Sequence, residues 1–417
     1  MVDILDNVRV LDFTQLEQGP SGTQVLADFG AEVIKIEKID VGEIGRQHWP
    51  RVRGMSPHWA ANNRNKLSLS IDLKNPESRA ILDRLLETTD IVASNFRPGV
   101  MERLGLGHEQ LSVINPRIIS AYASGYGQTG PYRDRRGQDL VAQALGGLMA
   151  LTGDQTTGPL ASGTYAVDYM AAMHFAQGML LALLARDRTG SGQIVDANLL
   201  SSAVAMHLQE GTTHLNTGRD YPRPTRGIAH SHTSALYATY GTRDSKALVL
   251  VGELFVDEPW QRVSRALGLS DEIANDPRFQ TQDGLLANTE ETYDILRQRL
   301  GEFDLDEALE RFDSEDLLAA PVNDYEAVFN DPQVIHNGMI AETTHPQVGD
   351  IKLVGMPVRL SNTPGRVRTA PPSVGEHNEQ ILRSIGFTTE ELRSWQKAGV
   401  VGSEAHDLTP EEDAQWG

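Results

Sequence analysis

Asp168 stands at the head of a long apolar run, in the segment GTYAVDYMAAMHFAQGMLLALLARDRTGSGQ of residues 163–193. A carboxylate in that place can cap a helix, accepting backbone N–H groups and meeting the positive end of the helix dipole. The same surroundings would keep it ionised at neutral pH, and an ionised carboxylate held in a closed site can act as a nucleophile. The two roles are compatible. Basic residues form a second pattern: Arg46, Arg51, Arg53, Arg64 and Lys66 fall between Ile44 and Ile71, where no Asp or Glu occurs. Arg133, Arg135 and Arg136 in PYRDRRGQD, and Arg219, Arg223 and Arg226 further on, make two more clusters in predicted loops. Guanidinium groups make forked contacts to phosphate, so a phosphorylated ligand is one reading. Solvated loop faces, or partners for the surplus acids elsewhere, are the other.

The remaining candidates are weaker. The twelve histidines are scattered and no H-E-x-x-H occurs. His230 and His232 can approach one ion but read as a polar loop, His207 and His214 share one helical face, and His174 reads as a hydrogen-bonded core residue. The first βα turn carries QGPSG in place of G-x-G-x-x-G, and no G-x-x-x-x-G-K-[ST] is present, so nicotinamide and Walker-type chemistry lose their support. With 37 basic against 57 acidic residues, a formal charge of −20 repels nucleic acid and anionic membranes. The lack of cysteine removes disulfides, thiol nucleophiles and Cys-ligated zinc, and suits a cytoplasmic location. The N-terminal MVDILDNVRVLDF lacks the basic lead of a secretion signal. The apolar run of residues 169–185 is interrupted by His174, Gln177 and Gly178 and is short for a bilayer, so it reads as a buried helix.

The elements that must position these residues alternate. VRVLDF (8–13) reads as strand, SGTQVLADFG (21–30) as helix ending at Gly30, and AEVIKIEK (31–38) as strand, a βαβ unit. KLSLSIDL, DIVASNF, RIISAYASGY and QIVDANLL continue as strands, with helices at PESRAILDRLLETT, 169–186 and 199–215. That alternation predicts an α/β fold with a largely parallel sheet covered on both faces. ALYATYG and ALVLVGEL, followed by the helices EPWQRVSRALG and TEETYDILRQRLGEF, predict a smaller α+β region. DIKLVGMPVRLSNTP reads as extended chain, SVGEHNEQILRSIG as loop then helix, and the acidic tail from Gly402 as frayed.

Several stretches together resemble the class III CoA-transferase family, the group of formyl-CoA transferase and the carnitine CoA-transferases, with α-methylacyl-CoA racemase among its sequence relatives. They are VRVLDFTQLEQGPSGTQVLADFGAEVIKIEK, NRNKLSLSIDLKNPE, SNFRPGVMERLGLG, SGYGQTGPYRDRRGQDLVAQALGGLMALTG, and AVDYMAAMHFAQGMLLALLARDRTGSGQIVDANLL, with GMPVRLSNTP and GEHNEQILRSIG later. The resemblance implies a Rossmann-like large domain built from residues 1–215 and 330–417, a small α+β domain at 225–325, linkers near 215–230 and 325–345, and two chains interlaced as a homodimer. It implies that Asp168 is the covalent nucleophile, passing from an aspartyl anhydride to an aspartyl-CoA thioester. Gln18, Lys38, Leu73, Lys74, Asn95, Phe96, Arg97, Arg103 and Arg136 match positions that hold coenzyme A, with Glu17, Gln138 and Asp139 orienting substrate. Acyl-CoA and a small carboxylic acid are then the substrates, with no tightly bound cofactor, metal, nucleic acid or membrane partner.

Two departures narrow the reading. Racemases of this family carry GHD where this chain has Gly137-Gln138-Asp139, and glutamine cannot exchange a proton at neutral pH, which argues against a racemase. Formyl-CoA transferases have Gln where this chain has Glu17, and their glycine-rich loop is absent around LVLVGELFVDEPW, which points away from oxalate toward a dicarboxylate, hydroxy acid or carnitine-like acid. Oxyanion stabilisation by backbone near Gly125, Gly127 or Gly252 is a further expectation. A CoA-binding protein without turnover is the non-enzymatic alternative.

Overall fold

The computed structural model describes residues 3–253 and 256–403. Beyond Ser403 the acidic tail lies outside the described residues, as do Leu254 and Phe255. Two compact units divide the chain: residues 1–146, 164–206 and 331–417 form one, and residues 147–163 and 207–330 form the other. Residues 147–163 thus cluster with the second unit although they sit within the first span of the sequence.

The first unit is built on six parallel strands: β1 (Arg9–Asp12), β2 (Glu32–Glu37), β3 (Lys66–Ser70), β4 (Ile91–Ser94), β5 (Ile119–Ser124) and β6 (Ile194–Asn198). Their order is β3-β2-β1-β4-β5-β6, with Val10 opposite Val33 on one side and Ile91 on the other. The near-continuous apolar runs are explained by burial on both faces, because successive side chains point to opposite sides. Val10, Val33 and Ile91 pack into one core with Leu26, Phe175 and Met179. Their neighbours Leu11, Ile34 and Val92 pack into another with Leu82, Leu85, Ile381 and Leu392. The first core is closed by helices Gln18–Asp28 and Ala166–Thr189, the second by Ser78–Leu86, Asn378–Ser384 and Thr389–Lys397. The chain order reverses between β1 and β4, and in open sheets of this kind the crevice beyond the carboxyl ends of those strands is where ligands bind.

The helix Ala166–Thr189 is long and apolar enough by composition to cross a bilayer, yet Phe175, Ala176 and Met179 are buried among the strands. It lies very close to helix Gln18–Asp28, because a Cβ on Gly22 would come within 2.9 Å of the Ala172 carbonyl and of the Phe175 ring. Helix Gln18–Asp28 begins before the predicted Ser21 and stops before Gly30, which follows it at φ 110°. The helix predicted over 199–215 is two, Leu199–Ala205 and Leu208–Thr217. The predicted extended run after 349 is β11 (Gly349–Val354), antiparallel to β10 (Ile340–His345), and beyond Val354 it is irregular.

The second unit carries a separate three-stranded antiparallel sheet, β7 (Tyr237–Gly241), β8 (Ala247–Val251) and β9 (Leu318–Pro321). Trp260, Phe279, Leu296 and Phe312 fill its core under Leu248 and Leu250.

Candidate active site

The loop after β1 is fixed from below by a buried ionic network. Asp12, fully buried, accepts hydrogen bonds from the Thr14 N–H at 2.9 Å and the Thr23 hydroxyl at 2.8 Å, and pairs with Lys66 Nζ at 3.0 Å. Burial opposes its ionisation, but Lys66, Lys35 and the two threonines prevail and hold it well below the usual carboxylate range. Burial lowers Lys66 to about 8, with Asp12 working against that shift. Lys35 Nζ donates to the Thr14 carbonyl at 2.8 Å. Just beyond the neighbouring strand β4, Asn95 clamps Gln15 at both ends, accepting its N–H at 2.8 Å and donating to its carbonyl at 2.7 Å. The loop then turns through Leu16 at φ 65°, a left-handed conformation unusual for leucine, held by its N–H donating to Glu43 Oε2 at 2.9 Å. Glu17 is presented at the head of the next helix.

Asp168 faces the same space from the first turn of Ala166–Thr189. The capping role expected for it falls to another residue. Asp139 Oδ1 accepts the N–H groups of Val167 at 2.9 Å and Asp168 at 3.0 Å, while its Oδ2 accepts from Gln143 at 2.6 Å. Two of the orphan donors of that helix end are therefore spent on Asp139 and a third, Ala166 N–H, on the Thr164 carbonyl, and the Asp168 carboxylate is left for the cavity. The expectation that Asp168 is fully ionised at neutral pH is also corrected. Burial and then the Asp139 charge push it up to about 7. Glu17 rises to about 7 as well, through burial and the charges of Asp168 and Asp139. Glu17 and Asp168 thus share one poorly solvated space, and their titrations are coupled.

Leu16, Glu17, Gly45, His48, His58, Trp59, Gln138, Tyr165 and Asp168 line a cavity of about 110 Å³. Of the residues singled out by resemblance, Glu17, Gln138 and Asp168 meet there, and Asp139 sits directly behind Asp168. His48, His58, Trp59 and Tyr165 were missed. The signal was present as a repeated His-Trp pair at 48–49 and 58–59, in a chain with five tryptophans. The two imidazoles stack with centroids 5.5 Å apart, and Tyr165 meets His58 edge-on at 5.4 Å. Burial and the neighbouring His48 lower the His58 pKa.

The positions matched to coenzyme A are distributed along the carboxyl edge of the sheet: Lys38 just after β2, Leu73 and Lys74 after β3, and Asn95, Phe96 and Arg97 after β4. Lys38, Lys74, Arg97, Arg103 and Arg136 are exposed. Gln18 is buried, and its Nε2 has no partner among the described residues. Asn95 spends its amide on Gln15, and Phe96 packs against the core. The basic run of 44–71 is largely not a phosphate site. Arg46 pairs with Glu37 at 2.6 Å, Arg64 with Asp28 at 2.7 Å and Lys66 with Asp12 at 3.0 Å, each against a buried acid. Arg226 pairs with Asp294 at 2.9 Å. Gly127 donates its N–H to the Ser124 hydroxyl and Gly252 to the Leu236 carbonyl, so two of the three glycines expected near an oxyanion have their N–H groups engaged. His174 bonds Ser202 at 2.9 Å, and no cluster of three metal-ligating side chains occurs among the described residues.

The family model of CoA-transferase family III matches residues 5–378. The chain belongs to that family. The transferase is 35% identical over 400 residues to the succinyl-CoA–D-citramalate CoA-transferase of Chloroflexus aurantiacus, covering 95% of this chain and 98% of that one. It is 35% identical over 384 residues to the succinyl-CoA:glutarate CoA-transferase of Mus musculus, covering 91% and 86%. A crystal structure of a CAIB/BAIF family protein from Brucella suis superposes with a TM-score of 0.82 at 29% identity, covering 92% of the transferase and all of that chain. The enzyme is an acyl-CoA:carboxylate CoA-transferase of class III, and acyl-CoA is its substrate.

Proposed function

We propose that Asp168 carries the CoA exchange as a covalent nucleophile. Its ionised carboxylate attacks the thioester carbonyl of the donor, the C–S bond breaks, and CoA leaves as thiolate, forming a mixed anhydride on Asp168. The thiolate attacks the aspartyl carbonyl of that anhydride and releases the donor acid, leaving an aspartyl-CoA thioester. The acceptor carboxylate attacks this thioester, expelling the thiolate and forming a second anhydride. Return of the thiolate to the acceptor carbonyl liberates the new acyl-CoA and restores Asp168. Each substitution is thereby split into steps that conserve the thioester energy.

The observation that carries this reading is the division of labour at the helix end: Asp139 takes the backbone donors, and Asp168 is turned unspent into the cavity beside Glu17. A shared proton suits the cycle, because Glu17 can hold it while Asp168 is anionic and release it once Asp168 is acylated. Gln138 lines the cavity without a titratable atom, so it cannot be the second base of a racemase. The named relatives act on citramalate and glutarate, which favours a dicarboxylate acceptor here. The exposed Lys38, Lys74, Arg97, Arg103 and Arg136 are proposed to hold coenzyme A, with no tightly bound cofactor. A second copy is proposed to interlace with the first, covering Leu140, Leu145, Leu181, Leu184 and Val204, which are 49–57% exposed in the single chain.

Incubation with a panel of acyl-CoAs and hydroxylamine should convert Asp168 to its hydroxamate in the peptide mass spectrum, and Asp168→Asn should carry no adduct and lose turnover by at least about 10³-fold. Absence of label at Asp168, with α-proton exchange into deuterated water, would favour the racemase instead.

A further inference from the structure

The cavity is chemically lopsided. Glu17 and Asp168 line it, and the Asp139 carboxylate lies behind Asp168, yet its described lining contains no lysine or arginine. Arg46 comes nearest, with its guanidinium 3.6 Å over the Trp59 ring, but both Nε and Nη2 are committed to Glu37 at 2.7 and 2.6 Å. A dicarboxylate brought to Asp168 has to keep its second carboxylate away from this acidic cluster, because unscreened like charges in a poorly solvated space repel strongly. On the other part of the wall stand His48 and His58, stacked at 5.5 Å, and neither imidazole makes a hydrogen bond to another described residue. Tyr165, in the turn that leads to Asp168, meets the His58 ring edge-on and so fixes it relative to the nucleophile. The buried indole N–H of Trp59 has no acceptor among the described residues, and the adjoining Cδ1 edge faces Gly45, another lining residue. Unspent N–H donors grouped in a cavity otherwise rich in acceptors mark a site for an acceptor-bearing ligand.

We propose that the His48–His58 pair receives the non-reacting carboxylate of a dicarboxylic acceptor and so sets the preference of the enzyme for dicarboxylates over monocarboxylates. This rests on the exchange reading above. An analogue that lacks the second carboxylate forfeits the charge-assisted hydrogen bonds from both rings, the half-buried His58 counting for more than the exposed His48, so the two acids should be discriminated. In a double-displacement cycle kcat/KM for the acceptor is independent of the donor, so succinyl-CoA serves as donor and isotope-labelled succinate and butyrate, followed by entry of the label into acyl-CoA, as acceptors of matched length. Wild type should favour succinate by about 100-fold or more, and His58→Phe and His48→Phe should each cut the succinate-to-butyrate ratio about 10-fold or more, chiefly through the KM of succinate. His58→Gln, which keeps an N–H donor, should recover part of that ratio. Equal wild-type use of the two acids, or equal losses on both acceptors in the Phe variants, overturns the proposal while leaving CoA exchange standing. Failure of any acid to accept CoA, with Asp168 unlabelled, overturns the exchange reading itself.

Discussion

Asp12 is buried and Asp168 partly buried near the carboxyl edge of one sheet, and they are driven in opposite directions. Asp12 is the more deeply buried, yet two lysines and two threonines hold it ionised. Asp168 keeps some access to the cavity, yet it rises to about 7 because the groups around it are acids and the nearby backbone donors serve Asp139. Burial raises any carboxylate; the partners decide whether the rise survives. The first arrangement builds a rigid floor, and the second keeps the proposed nucleophile near its titration point at neutral pH.

Breaking the floor should produce the largest change in stability. Lys66→Met leaves Asp12 as an unpaired buried charge and should cost about 3–5 kcal/mol in urea unfolding, with Asp12→Asn in the same chain restoring part of it. A cost below about 1 kcal/mol would mean that Lys35 alone suffices for Asp12. The pH dependence of stability sharpens the contrast next, because the two acids carry opposite signs. Asp168 has a raised folded pKa, so the folded state binds more protons than the unfolded state between about 4 and 7 and loses stability as pH rises through that window. Asp168→Asn should therefore match wild type in melting temperature below about pH 4 and exceed it by several degrees above pH 7. Asp12 has a depressed folded pKa, so its contribution is present above about pH 4 and disappears on acidification. Asp12→Asn should accordingly be less stable than wild type at neutral pH and approach it in acid. The smallest effect isolates one charge: Asp139→Asn keeps an amide oxygen for the helix donors but removes the nearby anion. The pH midpoint of Asp168 adduct formation should fall, yet remain above the ordinary carboxylate range, because burial is the larger cause of the shift.

The sheet was readable because its signals are local. VRVLDF, AEVIKIEK and DIVASNF are short apolar runs between helical stretches, and their alternation suffices to predict parallel strands. The charged floor was not readable, because Lys66 and Asp12 stand 54 residues apart and only the β1–β2–β3 adjacency brings them together. Arg46, Arg64 and Lys66 look like one basic cluster in the sequence, whereas each turns inward to a different acid. Asp168 was found by resemblance, and its helix-end position suggested a cap. That role belongs to Asp139, from a separate helix 29 residues away in sequence. His48 and His58 carry no motif that announces a cavity; their meaning comes from stacking on each other and from Tyr165, which depends on the packing of three separate segments.

Gly22 sets a further condition on the site. It holds no charge and touches no substrate-facing atom, but its bare backbone lets the helix bearing Glu17 lie against the helix bearing Asp168. A single methyl group there must displace the Ala172 carbonyl and the Phe175 ring, one and two turns along the helix from Asp168, and widen the gap between the two acids. The acidity of Asp168 is thus encoded partly in a residue without a side chain, and a neutral substitution away from the cavity can detune the proposed exchange while the fold persists.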